Sequence, residues 1–383
     1  MTPLNFVNRK KSGVATEAKN AVGLVFVKCM RLIAVLVAGN ERSILCVATT
    51  GLGDSLMITP ALKGLKAALP DYNLTLLVTE SSYQVFAANS SVDDFLFFRK
   101  GRGLLSLVKS LVVRGYSYSF IFHASDRLVW LLASGAAKTT IAGNWQPISI
   151  PTGIVDHWYE TPCREHRIIS HLKMSKLIAS DIDLDATDMV FTHDVGVAEN
   201  IHKWLLSEGC SESKMLVGFF PGAKDRFKCW SIENFLKLGR ELEHLDFQVV
   251  LVGSEHDEDL TRVLGRGLAR PLDFKGELQE LAALLTNLDC LVTNDSGPMH
   301  LAIALNTPVV SLFGPTDDLE TGPISSASKQ LTIRRPVTCY PSKEFPIIET
   351  QCFNKKCSNP MCINQITVGE VLEKVMLINN LVK

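Results

Sequence analysis

The sequence predicts an α/β protein built from two parallel-sheet halves of similar size. Short apolar runs alternate with helical segments from residue 43 onward, and the alternation restarts at residue 214. Such alternation is typical of βαβ units, in which helices cover both faces of a parallel sheet. The chain has 383 residues, of which 46% are apolar and 21% charged. This length and composition suit two domains and exclude a disordered protein or a small disulfide scaffold.

In the first half, residues 44–48 (ILCVA) form an apolar run that predicts a buried strand, and residues 55–69 predict the helix that follows it. Residues 74–78 predict the next strand, which completes one βαβ unit. Pro60 lies inside the predicted helix and is expected to interrupt it. The remaining elements predicted in this half are strands at 95–98 and 120–122 and helices at 104–113 and 128–136.

The alternation restarts after residues 195–213, a predicted helix and polar run that we interpret as a linker region. We therefore predict one domain at 43–194 and a second at 214–367. Two such halves imply a cleft between them, with ligands beyond the carboxyl ends of the strands. The elements predicted in the second half are strands at 215–220, 248–252, 272–274, 290–293 and 308–313, and helices at 232–242, 258–264, 278–286 and 298–305.

Residues 1–42 form an N-terminal extension with seven basic and two acidic side chains, whereas the whole chain has a net charge of −1. That near-neutral total does not suit a protein that neutralises nucleic-acid phosphates. Residues 21–38 are apolar except for Lys28 and Arg31, and these charges disfavour both a membrane-spanning helix and a signal peptide. We expect an amphipathic helix on a membrane surface, with both basic side chains toward the headgroups. A helix packed on its own domain is the alternative.

The ten cysteines fall into two groups. Six are scattered through ordinary stretches and are expected to be reduced thiols of a cytosolic protein. The other four are separated by 12, 4 and 4 residues, which is not the paired two-residue spacing of a zinc ribbon. Metal binding is left open for this cluster: Cys339, Cys352, Cys357 and Cys362.

Residues 49–56 (TTGLGDSL) turn from the first strand into the first helix through Gly51 and Gly53. A dinucleotide-binding turn would have a third glycine where Leu56 stands, and the carboxylate of Asp54 would repel pyrophosphate. Instead, the glycines allow a close approach of the ligand, and Asp54 is placed to deprotonate a substrate hydroxyl. A helix N-cap is the alternative role of Asp54.

Residues 294–300 (NDSGPMH) follow a predicted strand and begin a short helix. The backbone amides of Ser296 and Gly297, together with the helix dipole, would bind an anion such as the phosphate of a nucleotide sugar. Asp295 is placed to accept hydrogen bonds from sugar hydroxyls, and His300 to donate to the phosphate. A capped turn with a structural histidine is the alternative.

The loop 220–231 (FPGAKDRFKCWS) follows the first strand of the second half. Gly222 allows a close backbone approach to a ligand. Residues 252–257 end the next strand, where Glu255 offers a carboxylate to ribose hydroxyls. The basic residues of the first loop supply positive charge without a Walker motif, unless they are only solvated: Lys224, Arg226 and Lys228.

In this order, the motifs resemble glycosyltransferase family 9, the bacterial heptosyltransferases, from residue 43 to the C-terminal helix. The most specific match is residues 295–302 (DSGPMHLA). The other matching segments are 307–310 (TPVV), 313–316 (FGPT), 51–54 (GLGD), 59–62 (TPAL), 221–223 (PGA) and 228–230 (KCW).

The resemblance implies a GT-B architecture with an acceptor domain at 43–194, a donor domain at 214–367 and a last helix at 368–383 that returns toward the first domain. It implies an inverting transferase that moves heptose from ADP-heptose to a hydroxyl of the lipopolysaccharide inner core. The nucleotide sugar is then a substrate, no cofactor is needed, and the enzyme works in the cytoplasm at the inner membrane.

The resemblance also assigns roles to residues. Asp54 matches the general base, Lys228 the phosphate-binding lysine and Glu255 the ribose ligand. Displacement in one step needs a base for the hydroxyl and charge stabilisation for the leaving diphosphate. Because the backbone amides at the 296–300 helix start and Lys228 can do the work of a metal ion at the diphosphate, we expect metal-independent transfer. The donor-sugar and phosphate loop matches Asp295, Ser296, Gly297 and His300.

The acceptor half offers little else to match. Arg164, His166 and Arg167 form a basic group that suits either an acceptor phosphate or a solvated helix face. The sequence leaves the donor sugar, its base and the acceptor open, including a protein acceptor. A sugar-nucleotide epimerase of the same fold, a non-catalytic relative and a dehydrogenase are the competing functions.

Overall fold

The computed structural model describes residues 14–37, 42–145, 150–210, 214–324, 329–335, 352, 357 and 359–382. The chain forms two compact units. The first holds the chain up to residue 162 and residues 167–186, and the second holds residues 163–166 and the chain from residue 187. Each unit contains a parallel six-stranded sheet, which confirms the predicted α/β class.

The first sheet has the strand order β3-β2-β1-β4-β5-β6. β1 is buried along its whole length, because helices cover both faces of the sheet. The chain winds from β1 to one edge through β2 and β3, and then returns to the other side of β1 as β4. The strands are β1 (Ser43–Thr49), β2 (Asn73–Val78), β3 (Asp94–Phe97), β4 (Tyr116–Ala124), β5 (Ala137–Gly143) and β6 (His157–Tyr159).

The helices of this unit include one that continues through a proline. α2 runs to Ala68 without a break at Pro60, so the prediction that Pro60 interrupts it was wrong. A residue at position 60 would ordinarily donate its N–H to the carbonyl of Leu56; here the hydroxyl of Thr59 donates to that oxygen at 2.8 Å. The helices are α1 (Val14–Val37), α2 (Leu52–Ala68), α3 (Glu80–Phe86), α4 (Leu104–Arg114), α5 (Arg127–Gly135) and α6 (Arg167–Lys176).

Helix α1 packs on the first unit along a narrow stripe of its surface. Arg31 also points toward the first unit, because its guanidinium donates to the carbonyl of Ser134 at 3.1 Å and pairs with Asp156 at 3.2 Å. The expectation that Arg31 faces lipid headgroups was therefore wrong, because a carboxylate of the domain attracts it. The side of α1 that carries Arg31 is packed on its own domain, as in the alternative prediction for this helix. The stripe consists of the buried side chains Val27, Met30 and Ala34. Val27 and Met30 belong to the core shared with α5.

The opposite side of α1 is apolar and exposed, with Lys28 beside it. By length and composition alone, Glu17–Val37 would be sufficient to cross a membrane. The helix is thus apolar on two sides, and the described part of the unit covers one of them. The large exposed side chains are Val22, Val25, Phe26, Leu32, Ile33, Val35, Leu36 and Val37.

The second sheet repeats the winding of the first, with the strand order β12-β11-β10-β7-β8-β9. Its strands are β7 (Leu216–Phe220), β8 (Gln248–Val252), β9 (Leu272–Phe274), β10 (Cys290–Asn294), β11 (Val309–Phe313) and β12 (Gln330–Arg334). Its helices are α7 (Val195–Ser207), α8 (Ile232–His244), α9 (Glu258–Gly267), α10 (Leu278–Leu285), α11 (Gly297–Ala304), α12 (Asp318–Thr321), α13 (Met361–Asn364) and α14 (Val368–Val382).

The division between the units differs from the predicted one. α7, which the sequence analysis assigned to a linker at 195–213, packs on the second unit next to α10. The ring of Trp204 in α7 packs edge-on against the ring of Phe274, with 5.4 Å between the ring centroids. The buried side chains Ile201 and Leu205 explain this placement, because an amphipathic helix must cover its apolar face. Residues 211–213 lie outside the described residues.

The last helix, α14, packs against α8 of the second unit. Val371, Val375 and Ile378 are fully buried in the core of that unit, at the spacing of one helix face. The expected return of this helix toward the first domain stays a prediction.

The seating of α1 can be tested with two substitutions. Met30→Ala should lower the free energy of unfolding by about 2–5 kcal/mol, because it leaves a cavity in the core. Leu36→Ala, at a side chain that is 76% exposed, should change it by less than about 0.5 kcal/mol. Urea unfolding followed by circular dichroism measures both. Equal effects would contradict the packing of α1 along the Met30 stripe.

Candidate functional site

The second sheet changes its winding direction between β7 and β10. These strands are neighbours, although β8 and β9 lie between them in sequence. The connections leave them in opposite directions, so the loops at their carboxyl ends diverge and leave room for a ligand. The loop 221–231 follows β7, and residues 295–297 follow β10. The structure thus brings the two predicted donor motifs to the same edge of one sheet.

Lys228 and Asp295 form an ion pair at this edge. The Nζ atom of Lys228 donates to Oδ2 of Asp295 at 2.8 Å, and the two side chains are only 16% and 9% exposed. A largely buried, charge-assisted hydrogen bond fixes the position of the ammonium group. The sequence motifs predict that each of the two residues contacts a donor substrate. The structure adds that the two residues contact each other.

Asn294 holds the two loops together, and the sequence analysis did not assign it a role. Its side-chain amide donates to the carbonyl of Pro221 at 2.8 Å, and its oxygen accepts from the backbone N–H of Trp230 at 2.9 Å. Asn294 is fully buried. The signal for this role was a polar residue at the end of an apolar strand, since a buried amide requires hydrogen-bond partners.

Helix α11 begins at this edge with Ser296 as its N-cap. The Ser296 side chain does not cap the helix; its hydroxyl lies 3.1 Å from that of Thr293. The amides of the first turn, starting with Gly297, therefore have no side-chain acceptor from the N-cap and suit an anion. His300 lies in the same turn and is buried, with 5% of its surface exposed.

Gly222 is required for packing as well as for any ligand approach. A Cβ atom at this position would lie 2.0 Å from Oδ1 of Asp257. Asp257 in turn accepts hydrogen bonds from the hydroxyl of Ser254 at 2.6 Å and from its N–H at 3.2 Å. The glycine thus lets the loop after β7 contact the loop after β8. Glu255 is exposed in a 3-10 turn of that second loop.

The basic residues of the loop after β7 have different surroundings. Arg226 donates to Asp259 at 2.9 Å and to the carbonyl of His256 at 3.1 Å, so it ties two loops together. Lys224 is exposed. Lys228 alone of these three is held against Asp295.

The first sheet has an equivalent point between β1 and β4, and Asp54 lies there in the first turn of α2. The N-cap of α2 is Gly51, so Asp54 does not have the alternative capping role. The hydroxyl of Thr50 donates to Oδ2 of Asp54 at 2.9 Å, and the Asp54 side chain is 48% exposed. Gly53 precedes it in the same turn. A half-exposed carboxylate held by one hydrogen bond can accept a proton.

Two histidines lie near Asp54, and the sequence analysis missed both. Nε2 of His123 is 3.9 Å from Oδ2 of Asp54. His171 is buried beneath them, with Nδ1 3.0 Å from the carbonyl of Met57. Burial lowers the pKa of His171 to about 3. Neither histidine belongs to a local motif, because the fold brings them from β4 and α6.

The predicted basic group 164–167 is divided between the two units. Arg164 forms a two-pronged hydrogen bond with Asp317 in the second unit, at 2.7 and 3.2 Å. Burial raises the pKa of Asp317, but the hydrogen bond from Arg164 and the charge of Arg334 outweigh it and hold that pKa below its ordinary value. The Arg164 guanidinium is therefore engaged within its own unit. Arg167 lies over the ring of Trp145 in the first unit, 4.9 Å from its centroid.

The cysteine cluster is only partly described. Cys339 lies outside the described residues, Cys352 and Cys357 are partly exposed, and Cys362 is buried. Within the described ranges, no group of three or more His, Cys, Asp or Glu side chains is arranged to hold a metal ion.

Comparisons with known proteins agree with the fold and with these motifs. Residues 164–350 match the model of glycosyltransferase family 9 (heptosyltransferase). Over 288 residues, the chain is 27% identical to lipopolysaccharide heptosyltransferase 3 of Escherichia coli K12. The aligned region covers 69% of this chain and 80% of that protein.

Two solved structures share the fold. A glycosyl transferase family 9 protein from Veillonella parvula has a TM-score of 0.74 at 20% identity, covering 89% of this chain and 98% of that one. The E. coli ADP-heptose lps heptosyltransferase II has a TM-score of 0.69 at 19% identity, covering 88% and 98%. The predicted GT-B fold and the family resemblance are confirmed.

Proposed function

We propose that the chain transfers heptose from ADP-heptose to a hydroxyl of the lipopolysaccharide inner core. The proposal starts from the match of residues 164–350 to glycosyltransferase family 9. The observation that carries this proposal is the buried Lys228–Asp295 pair beside the start of α11. The names of the similar proteins, a lipopolysaccharide heptosyltransferase and an ADP-heptose transferase, support the choice of sugar and acceptor.

The donor would bind at the β7/β10 edge of the second unit. The diphosphate would accept hydrogen bonds from the amides of Ser296 and Gly297, with His300 in the same turn and Lys228 as the cation. Asp295, which holds Lys228, would share its carboxylate with sugar hydroxyls. Glu255, exposed after the neighbouring strand β8, would accept hydrogen bonds from the ribose.

Asp54 would act as the general base. As the acceptor oxygen attacks the anomeric carbon, its proton passes to the Asp54 carboxylate and the bond between carbon and the phosphate oxygen breaks. The electron pair of that bond goes to the leaving ADP. Attack from the side opposite the leaving group inverts the configuration at that carbon.

Lys228 and the amides of α11 would stabilise the negative charge that develops on ADP. These groups supply the electrostatic role that a magnesium ion has in other transferases. We therefore propose that the transfer is independent of metal ions.

We further propose that the enzyme works at the cytoplasmic face of the inner membrane, attached through the exposed side of α1. That side presents Val25, Leu32 and Leu36 next to Lys28, a combination that suits an anionic lipid surface. The neighbouring helix α4 adds Leu105, which is 86% exposed, directly after a basic loop. The contacts of Arg31 with the first unit favour a helix that lies on the membrane rather than one that crosses it.

Nucleotide binding gives the first test. ADP should raise the melting temperature of the wild type, because a ligand that binds only the folded state stabilises it. Lys228→Ala should lose most of this shift, since a hydrogen bond to a charged group contributes about 1.5–3 kcal/mol. Lys224→Ala is the matched control and should keep the shift. Stabilisation by UDP or GDP instead of ADP would overturn the assignment of the donor, and stabilisation by NAD alone would overturn the transferase.

The transfer step gives the second test. Asp54→Asn should lower kcat by about 10²–10⁴-fold in an assay of ADP release from ADP-heptose with a core acceptor, because the base is removed. ADP binding should be unchanged, since Asp54 lies outside the donor unit. The assay contains EDTA throughout. Activity that requires added divalent metal would contradict the metal-independent mechanism.

Membrane attachment gives the third test, by flotation with vesicles of phosphatidylcholine with and without phosphatidylglycerol. The triple variant Val25→Ser, Leu32→Ser, Leu36→Ser should lower binding to the anionic vesicles by roughly tenfold or more, since each fully buried apolar side chain contributes about 1.5–3 kcal/mol. The control replaces exposed leucines of the second unit by serine: Leu206, Leu245 and Leu319. Equal binding by both triple variants would argue against α1 as the anchor.

A further inference from the structure

His123 owes its position beside Asp54 to an irregularity in β4. The parallel register pairs Val47 with Ile121 but Ala48 with His123, so Phe122 is an extra residue at that point. Such a β-bulge re-aims the side chains that follow it and is frequent next to active sites.

The bulge changes the face of the sheet on which His123 lies. Val47 and Ile121 share the core that α1 and α5 cover. In a regular strand His123 would lie on that face as well, because successive side chains alternate. With Phe122 inserted, His123 pairs with Ala48 and lies on the opposite face, where α2 carries Asp54.

The two side chains are close enough to form an ion pair once His123 is protonated. Nε2 of His123 lies 3.9 Å from the same Oδ2 atom of Asp54 that accepts the Thr50 hydroxyl at 2.9 Å. Both side chains are partly exposed, His123 by 33% and Asp54 by 48%. Catalytic hydrogen bonds are often longer than ideal in the absence of substrate and shorten in the reacting complex.

Two further side chains near this pair come from α6, Arg167 and His171. His171 is within electrostatic range of Arg167, Asp54 and His123. Burial keeps His171 neutral, because its pKa is lowered to about 3. Arg167 carries a constant positive charge.

We propose that His123 is the positioning residue of the general base, a neutral imidazole whose unprotonated Nε2 faces the Asp54 carboxylate and relieves it of the acceptor's proton. The inference rests on the proposed role of Asp54. The acceptor O–H proton passes to Oδ2 of Asp54 and from there to Nε2 of His123, which restores the carboxylate. The exposed imidazolium then releases the proton to water. The ADP leaving group keeps the electron pair of the broken bond.

The pair predicts a specific dependence on pH. When His123 is protonated, it cannot accept the proton and its positive charge makes the carboxylate a weaker base, so the rate falls as the pH falls. In His123→Gln no imidazole is left beside the carboxylate to take up a proton as the pH falls. The acid limb of kcat/KM should therefore move down by more than about one pH unit, and the plateau should fall by roughly 10–100-fold.

The experiment compares pH–rate profiles of the wild type, His123→Gln, Asp54→Asn and the control His157→Gln, an exposed histidine of β6. His157→Gln should keep the wild-type profile. Thermal melting verifies that each variant is folded. An acid limb of His123→Gln that coincides with the wild-type limb overturns the pair, provided that Asp54→Asn is inactive. Full activity of Asp54→Asn would instead overturn the proposed base.

A second readout does not depend on turnover. In an NMR titration of imidazole resonances, His123 should titrate at a lower pH in Asp54→Asn than in the wild type, because the carboxylate favours its charged form. His157 should titrate identically in both proteins. Identical titration of His123 in both proteins would also overturn the pair.

Discussion

Each parallel sheet changes its winding direction once, and this change decides where the loops with polar side chains lie. Parallel strands need long right-handed crossovers, so a sheet that grows from its centre toward both edges must have one place where neighbouring connections diverge. In the first sheet this place lies between β1 and β4, and in the second between β7 and β10. The polar and charged side chains of the candidate site lie after these strands.

At each of these places, a hydrogen bond joins the two strand ends. In the second unit, the buried amide of Asn294 bonds to the loop after β7. In the first, the Thr49 hydroxyl accepts from the backbone N–H of Ser125 at 3.0 Å. Both contacts use polar side chains at the ends of otherwise apolar strands. Because a buried polar group without a partner is costly, these bonds fix the loops that carry the charged residues.

The two units differ in the charges they hold. In the second, Asp295 fixes the position of the Lys228 ammonium group in a largely buried environment, which suits the recognition of a diphosphate. In the first, Asp54 lies more exposed among a hydroxyl and two imidazoles, which suits proton transfer. Helix α1 adds a third feature to the first unit. It covers apolar surface with one side while its other side stays apolar and exposed.

Local periodicity and contiguous motifs were enough to predict the α/β class, most element positions, the family resemblance and the polar loops after β7 and β10. The sequence by itself could not determine that Arg31 turns inward to Asp156, that α7 belongs to the second unit or that α2 continues through Pro60. Each of these depends on a partner distant in the chain or on a side-chain hydrogen bond. The position of His123 is the clearest case. One inserted residue in β4 moves its side chain to the opposite face of the sheet, and only the register between two strands, set by tertiary packing, decides that.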